Sequence, residues 1–476
     1  MRTANYGLNA VIAFLCVGSA GTKSAAVSTA AQQTKVAVTV YNAGFGVVRD
    51  QREMTLPKGE VELRFMEVAS KVQPETVQID PVTAGGKLSV LEQNYEYDLL
   101  SPEKLMEKYV GKDVTVFDKN DYKDRRAPLT ATLLSFNNGQ PIYKIGKQIS
   151  IYRPQDEVVL PSVPENLVAQ PTLVWLLDNQ FEKKQTVVAN YMTSGMRWSA
   201  DYVAVLATNE VACNINGWVT INNESGATFN NARLQLVAGD VQRVAEEPVM
   251  GGRMDKMVML AVAPSRAFAE EGLFEYHLYT LERPSTLKDN QQKQIALLEA
   301  LNVRIAKTYR CIGQTFWYRG KQGDTIKNTK IGVFMALTNS AVNGLGMPLP
   351  KGVVRVYKAD SSGNNQFIGE DRIDHTPKDE KIELKLGDAF DLVSERRQMS
   401  FSRIADNASE SEWEFTLRNH KEEDVTVEVV EPFYGDWTLQ ENSHPFEKRD
   451  AWTAVFQVPV KKGGEAVCKY RVRVKW

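Results

Sequence analysis

Between Tyr191 and Asp240 the chain alternates apolar and polar residues with a period of two, interrupted by polar turns. A period of two places successive side chains on opposite faces of an extended backbone, so it fits a strand and not a helix. Tyr202 to Leu206 is a short apolar run that ends at Thr208-Asn209-Glu210. Val219 and Ile221 then alternate with Trp218, Thr220 and Asn222. The segment Asn222-Asn-Glu-Ser-Gly226 has turn chemistry, because Asn tolerates positive φ, Ser bonds its own backbone and Gly has no Cβ. A third alternation puts Leu234, Leu236 and Ala238 on one face and Arg233, Gln235 and Val237 on the other. Such runs separated by short polar turns predict antiparallel strands of a sandwich, not a βαβ unit.

The same stretch resembles the bacterial family called domain of unknown function 4139. The resemblance rests on Trp198-Ser-Ala-Asp-Tyr202, Gly217-Trp-Val-Thr220 with Asn222 and Ser225-Gly226, Asn231-Ala-Arg-Leu234 and Leu236-Val-Ala-Gly-Asp240. Val40-Tyr-Asn42, Glu275-Tyr-His-Leu-Tyr279, Gly344-Leu-Gly-Met-Pro-Leu-Pro350, Gly369-Glu-Asp371 and Asp374-His-Thr-Pro-Lys378 extend it over nearly the whole chain after residue 31. It implies an exported, β-rich protein and carries no particular activity with it.

The N-terminus differs from the rest. Arg2 precedes the apolar run Ala10 to Val17, and small residues follow through Ala25-Ala26 and Ala30-Ala31, the order of a secretory signal peptide. The run is much shorter than the roughly 20 residues a membrane-crossing helix needs. A signal peptide over 1–31, cut near Ala26 or Ala31, predicts export to the periplasm or cell envelope. Leu15 precedes Cys16 where a lipoprotein site has a small residue, so lipid anchoring is not expected. Cys213, Cys311 and Cys468 remain after the leader. An odd count cannot be fully paired; one bridge or three buried thiols both fit, and spacing does not choose a pair.

A chain of 476 residues needs more than one core. Its net charge of −2 gives no basic footprint for nucleic acid. The expected order is an N-terminal sandwich portion over 32–85, a small inserted domain over 86–170 and a central β-rich core over 171–242. A flexible excursion over 243–272 follows, then a β-rich region over 273–476 that ends in an Ig-like sandwich. In the insert, Ser101, Pro102 and Glu103 start a short helix that buries Leu105, Met106, Tyr109 and Val110 and stops at Gly111. The strand-like pieces after it predict an SH3-like barrel. Asp118-Lys-Asn-Asp-Tyr122 starts like a calcium loop but lacks its glycine and closing glutamate, and reads as a polar turn. Over 289–302, Ile295, Leu297, Leu298 and Leu301 fit a helix, whereas the resemblance implies a strand. In the last 65 residues Trp413, Phe415 and Leu417, then Val425, Val427 and Val429, then Tyr470, Val472 and Val474 alternate with polar residues. The fold class is therefore mainly β: Ig-like antiparallel sandwiches with few helices. No repeat of fixed period is visible.

Chemistry is thinly signalled. The four histidines are His277, His375, His420 and His444, and no metal-protease, nucleophile-elbow or phosphate-loop motif accompanies them. No catalytic, cofactor or metal residue is assigned. Asp374-His375 is the pair that a hydrolase would use, and its alternative role is to fix a loop by hydrogen bonding. Asp201, Asp240 and Asp371 belong to matched motifs and also suit strand ends. Met250, Met254, Met257 and Met259 could ligate Cu(I) as soft thioethers, or form an adaptable apolar linker. The leading expectation is a non-enzymatic binding or assembly module of the cell envelope with a protein or polysaccharide partner. A periplasmic hydrolase near Asp374-His375 and a Cu(I)-binding protein are its alternatives.

Overall fold

Strand after strand, the alternation of the sequence reappears as an alternation of burial. In Met196–Leu206 the side chains of Met196, Trp198, Ala200, Tyr202, Ala204 and Leu206 are buried, with Arg197 and Ser199 exposed between them. The computed structural model describes residues 24–83, 85–96, 100–118, 127–151, 157–164, 170–242 and 268–476. Strands make up 66% of the chain and Pro102–Tyr109 is its α-helix among the described residues, so the protein is mainly β. Among the described residues none of its sheets closes into a barrel. No helix among the described residues is long and apolar enough to cross a membrane. Residues 1–23, the calcium-loop-like turn after Asp118 and the four methionines at 250–259 lie outside the described residues.

The chain forms two compact units, one of residues 1–36 and 48–193, the other of 37–47 and 194–476. In the first, Ser24–Ser28, Gly59–Met66, Thr172–Asn179 and Leu88–Glu96 form a four-stranded sheet. Val72–Pro81 pairs separately with Gln185–Ser194. Phe65 and Trp175 meet edge to face in the four-stranded sheet, and the buried Arg52 guanidinium lies 3.5 Å from the Phe65 ring centroid. Arg52 also donates to Asp50 at 2.8 Å, to the Ser28 carbonyl at 3.0 Å and to the Met66 carbonyl at 2.9 Å. The strand Ser24–Ser28, which lies within the expected leader, is thereby tied into the core.

The insert builds its own sheet from Asp113–Asp118, Ala127–Asn137, Gln140–Ile145, Gln148–Ile151 and Glu157–Val159. Ser101 caps the helix by accepting the Lys104 N–H at 3.2 Å, and Tyr109 packs with Val114, Val116, Leu133 and Tyr143. Val110 is exposed because it has already left the helix as its C-cap. The strand order is an open path, with no pairing of its two end strands among the described residues. The expected closed barrel is corrected to an open sheet backed by one helix.

In the second unit, Met196–Leu206 pairs antiparallel with Ala212–Asn223. Phe229–Ala238 does not continue that sheet. It crosses to pair in parallel with residues 37–41 and antiparallel with Tyr276–Leu281. The three alternating segments are therefore not a meander, because the turn after Asn223 carries the chain across the core. Gln291–Ile312 is a strand of 22 residues, and Ile295, Ala296, Leu297 and Leu298 are all buried within it. Burial of consecutive residues on both faces removes the period of two, which is why the sequence read equally well as a helix. Phe268–Leu273 is also a strand, which corrects the end of the expected flexible excursion.

The long strand serves two layers of the molecule. Its first part pairs with Ala212–Asn223, its second with Gly332–Thr338, and its last residues run parallel to Val425–Pro432. Val425–Pro432 pairs with Thr453–Val460. These strands pack on a sheet in which Leu392–Ala405, Ala408–Asn419 and Glu465–Lys475 pair in order. Trp413, Phe415, Tyr470, Val472, Phe456 and Val458 form the core between them.

A device recurs where strands cross between sheets. Asn179, Asn223 and Asn419 each end a strand, and the next strand begins six positions later, at Gln185, Phe229 and Val425. All three are buried. The carboxamide nitrogen of Asn179 donates to the carbonyls of Leu56, Pro57 and Phe181. That of Asn223 reaches Ala227, Leu287 and Lys288, and that of Asn419 reaches Glu423, Val460 and Lys461. Each side-chain oxygen accepts the N–H two residues on, from Phe181, Ser225 or Lys421. Among the described residues one arch is thus repeated three times, at intervals too irregular for a fixed period to show.

Candidate functional site

The matched motifs far apart in sequence meet at one end of the second unit. Gly239 and Asp240 follow the strand Phe229–Ala238, and Gly239 has φ +135°, with the Tyr276 ring where a Cβ would stand. Lys351, just after the Gly344–Pro350 motif, donates through Nζ to Asp240 Oδ1 at 2.7 Å. Its backbone N–H donates to His375 Nδ1 at 3.3 Å. His277 Nδ1 lies 2.7 Å from Glu270 Oε1. The charges of Lys351, Asp240, Asp374 and His277 are all felt at His375.

Burial is the largest influence on His375 and lowers its pKa, and Lys351 lowers it further against the opposing pull of Asp240 and Asp374. The ring is therefore neutral at physiological pH. Accepting at Nδ1 assigns the proton to Nε2, a buried atom with no hydrogen-bond partner among the described residues. Asp374 does not orient this ring. Its carbonyl accepts the Thr376 hydroxyl at 2.8 Å instead.

A residue that sequence reasoning missed holds the two motif loops together. Asn339 is fully buried, and its nitrogen donates to Met347 O at 2.8 Å and Pro377 O at 2.9 Å while its oxygen accepts the Gly346 N–H at 3.0 Å. A backbone bridge between Leu349 and Thr376 adds to it. Leu345 and Leu349 thereby close an apolar interior with Tyr202, Leu298 and Leu384, leaving a void of about 20 Å³. That is about the size of one water and too small for a ligand. The Tyr202 and Tyr279 hydroxyls donate to the carbonyls of Pro350 at 2.8 Å and Pro348 at 2.9 Å. Trp198 Nε1 donates to Val237 O at 3.1 Å. The one cue in the sequence was an Asn directly after an apolar strand, which turn chemistry alone already explains.

The other singled-out residues lie apart. Asp201 bonds Arg355 at 3.0 Å across a parallel strand pair. Asp371 accepts the backbone N–H groups of Arg372 and Lys385, both at 2.8 Å. His420 sits in a turn, where its N–H donates to Asp391 O, and His444 bonds the neighbouring Ser443. Cys213, Cys311 and Cys468 are free and buried, and desolvation raises all three thiols, to about 12, 11 and 12. They behave as small apolar residues and not as nucleophiles. No group of three or more His, Cys, Asp or Glu suited to a metal ion occurs among the described residues.

The most unusual chemistry in the chain is structural. Arg396 and Glu431 are fully buried in the C-terminal sandwich and paired through the two terminal guanidinium nitrogens, one of them at 2.8 Å. The Tyr318 hydroxyl donates to the same carboxylate and lies 3.0 Å from the Tyr470 hydroxyl. The guanidinium stacks 4.3 Å from the Trp317 ring centroid and 4.7 Å from that of Phe415. Compared with known proteins, the chain matches no family model and no curated protein.

Proposed function

We propose that this chain is an exported cell-envelope protein of the domain of unknown function 4139 type, acting as a non-enzymatic binding or assembly module. The observation that carries this reading is what the groups around the motif loops do. Asn339, Tyr202, Tyr279 and the backbone N–H of Lys351 each spend their hydrogen bonds on fixing the loops 344–350 and 374–378. His375 uses its ring lone pair to hold Lys351, which leaves it no basic nitrogen for abstracting a proton. Residues so used make a rigid surface, and rigid surfaces favour recognition because less entropy is lost on binding. The apolar run at 10–17 with its small-residue flank supports export.

The test is crosslinking of the tagged protein in living cells, followed by mass spectrometry of the co-purifying envelope components. One dominant partner is the expected result, with any loss of capture by His375→Ala matched by a fall in its melting temperature. A purified chain that hydrolyses an envelope substrate, and loses that turnover on His375→Ala with its melting temperature intact, would establish the hydrolase reading instead.

A further inference from the structure

An open cleft of about 670 Å³ lies between the turn at 207–211 and the C-terminal sandwich, within the second unit and built from no matched motif. This volume is in the range of about 300–1,000 Å³ typical of small-ligand sites. Four parts of the chain wall it: the turn, residues 305–309 of Gln291–Ile312, the segment 421–428, and Gln457.

The charged groups of the wall are nearly all answered from within the protein. Glu210 is held by Lys307 and Lys358, Asp424 by Lys461 at 2.7 Å, and Glu428 by Arg310 at 2.6 Å. Glu423 lies 3.8 Å from Lys307. Lys421 and Lys307 stand 5.5 Å from the Tyr309 ring centroid. An ionic ligand would have to compete with these fixed pairs. The uncharged groups are different. Thr208, Asn209, Thr308 and Thr426 are lining residues, and their hydroxyls and the Asn209 carboxamide nitrogen have no hydrogen-bond partner among the described residues. The Gln457 nitrogen is used on Glu428 at 3.2 Å, which orients its carbonyl oxygen as a further acceptor. Val211, Ile305 and Val425 supply a small aliphatic surface among them.

We infer that this cleft binds a neutral oligosaccharide, gripped by the threonine hydroxyls, Asn209 and Gln457. Hydroxyl groups both donate and accept, so a lining of mixed donors and acceptors with balanced charge suits a polyhydroxylated chain. A peptide would be read instead through a free strand edge or apolar pockets. The inference rests on the binding-module reading and gives it a ligand class.

Calorimetric titration of the full mature chain with maltotriose, cellotriose and chitotriose, and with a galacturonate trisaccharide as a charged comparator, tests it. At least one neutral trisaccharide is expected to bind, with a dissociation constant of about 10 μM to 1 mM. That affinity should hold when salt is raised from about 0.05 to 0.5 M, because no ionic contact is there to be screened. The combined variant Thr308→Val, Thr426→Val and Gln457→Ala should weaken binding by at least about tenfold, with the melting temperature unchanged. No binding of any neutral trisaccharide at about 10 mM, binding of the charged comparator alone, or undiminished binding by the variant overturns the inference. If the variant still captures the crosslinked envelope partner in those cases, the binding-module reading stands without this ligand.

Discussion

An asparagine at the end of a strand can satisfy a turn that no other residue can, because one planar group both donates twice and accepts. Asn419 donates to three carbonyls and accepts the Lys421 N–H at 2.9 Å, with the side chain buried. Replacing it by Ala strands those groups without water, and a loss of about 2–4 kcal/mol is expected in urea unfolding. Asn419→Asp should cost as much, since a carboxylate cannot donate to the carbonyls. The Arg396–Glu431 pair obeys a related asymmetry. Glu431→Gln should destabilise by about 3–5 kcal/mol because it leaves a buried guanidinium uncompensated. Replacing both partners together with Met and Leu should recover most of that loss in the same measurement.

Glu210 gives a pH dependence of known sign. Burial opposes its ionisation, but hydrogen bonds and charge from Lys307 and Lys358 outweigh that and bring its pKa from 4.5 down to about 2. Its folded value lies below its unfolded one, so its contribution is complete above about 4.5 and is lost as the pH falls toward about 2. The stability gap between wild type and Glu210→Gln should therefore be constant at neutral pH and close over that window. Much of the group is exposed to water, so the gap itself is modest.

At the scale of elements, the N-terminal strand makes a sharp claim. Ser24–Ser28 pairs in parallel with Gly59–Met66, and its Ser28 carbonyl accepts from Arg52. A leader cut after Ala31 would remove that strand and leave the Arg52 donor that bonds Ser28 without its acceptor, whereas a cut upstream of Ser24 keeps both strand and bond. N-terminal sequencing of the exported protein is expected to find Ser24–Ser28 retained, and a chain beginning at Gln32 would contradict this. Strands with one wet face were legible in the sequence: Trp413, Phe415 and Leu417, or Tyr470, Val472 and Val474, could be read residue by residue. Where burial is two-sided, as at Ile295 to Leu298, period carries no signal and the element stayed ambiguous. The crossing at Asn223 was legible as a turn but not as an arch, because turn chemistry does not say which sheet the next strand joins. For the candidate site, Asp240 and His375 stood out as motif residues. Their common attachment to Lys351 spans more than a hundred residues of chain, and local pattern cannot reach that far.

For the molecule as a whole, Gln291–Ile312 has a consequence for how a ligand would arrive. Ile305, Lys307, Thr308 and Tyr309 of the cleft sit on it, between the stretch bonded to Ala212–Asn223 and the stretch bonded to Val425–Pro432. The strand is bonded in turn to Ala212–Asn223, Gly332–Thr338 and Val425–Pro432, so pairing along its length holds the walls of the cleft together and leaves no free hinge segment about which they could swing. Recognition there would be ungated: association should follow a single exponential that scales linearly with ligand concentration, with no slow isomerisation before or after encounter. Stopped-flow mixing with the tightest-binding trisaccharide reads this directly, and a rate that saturates with concentration would reveal a moving part that this strand does not provide.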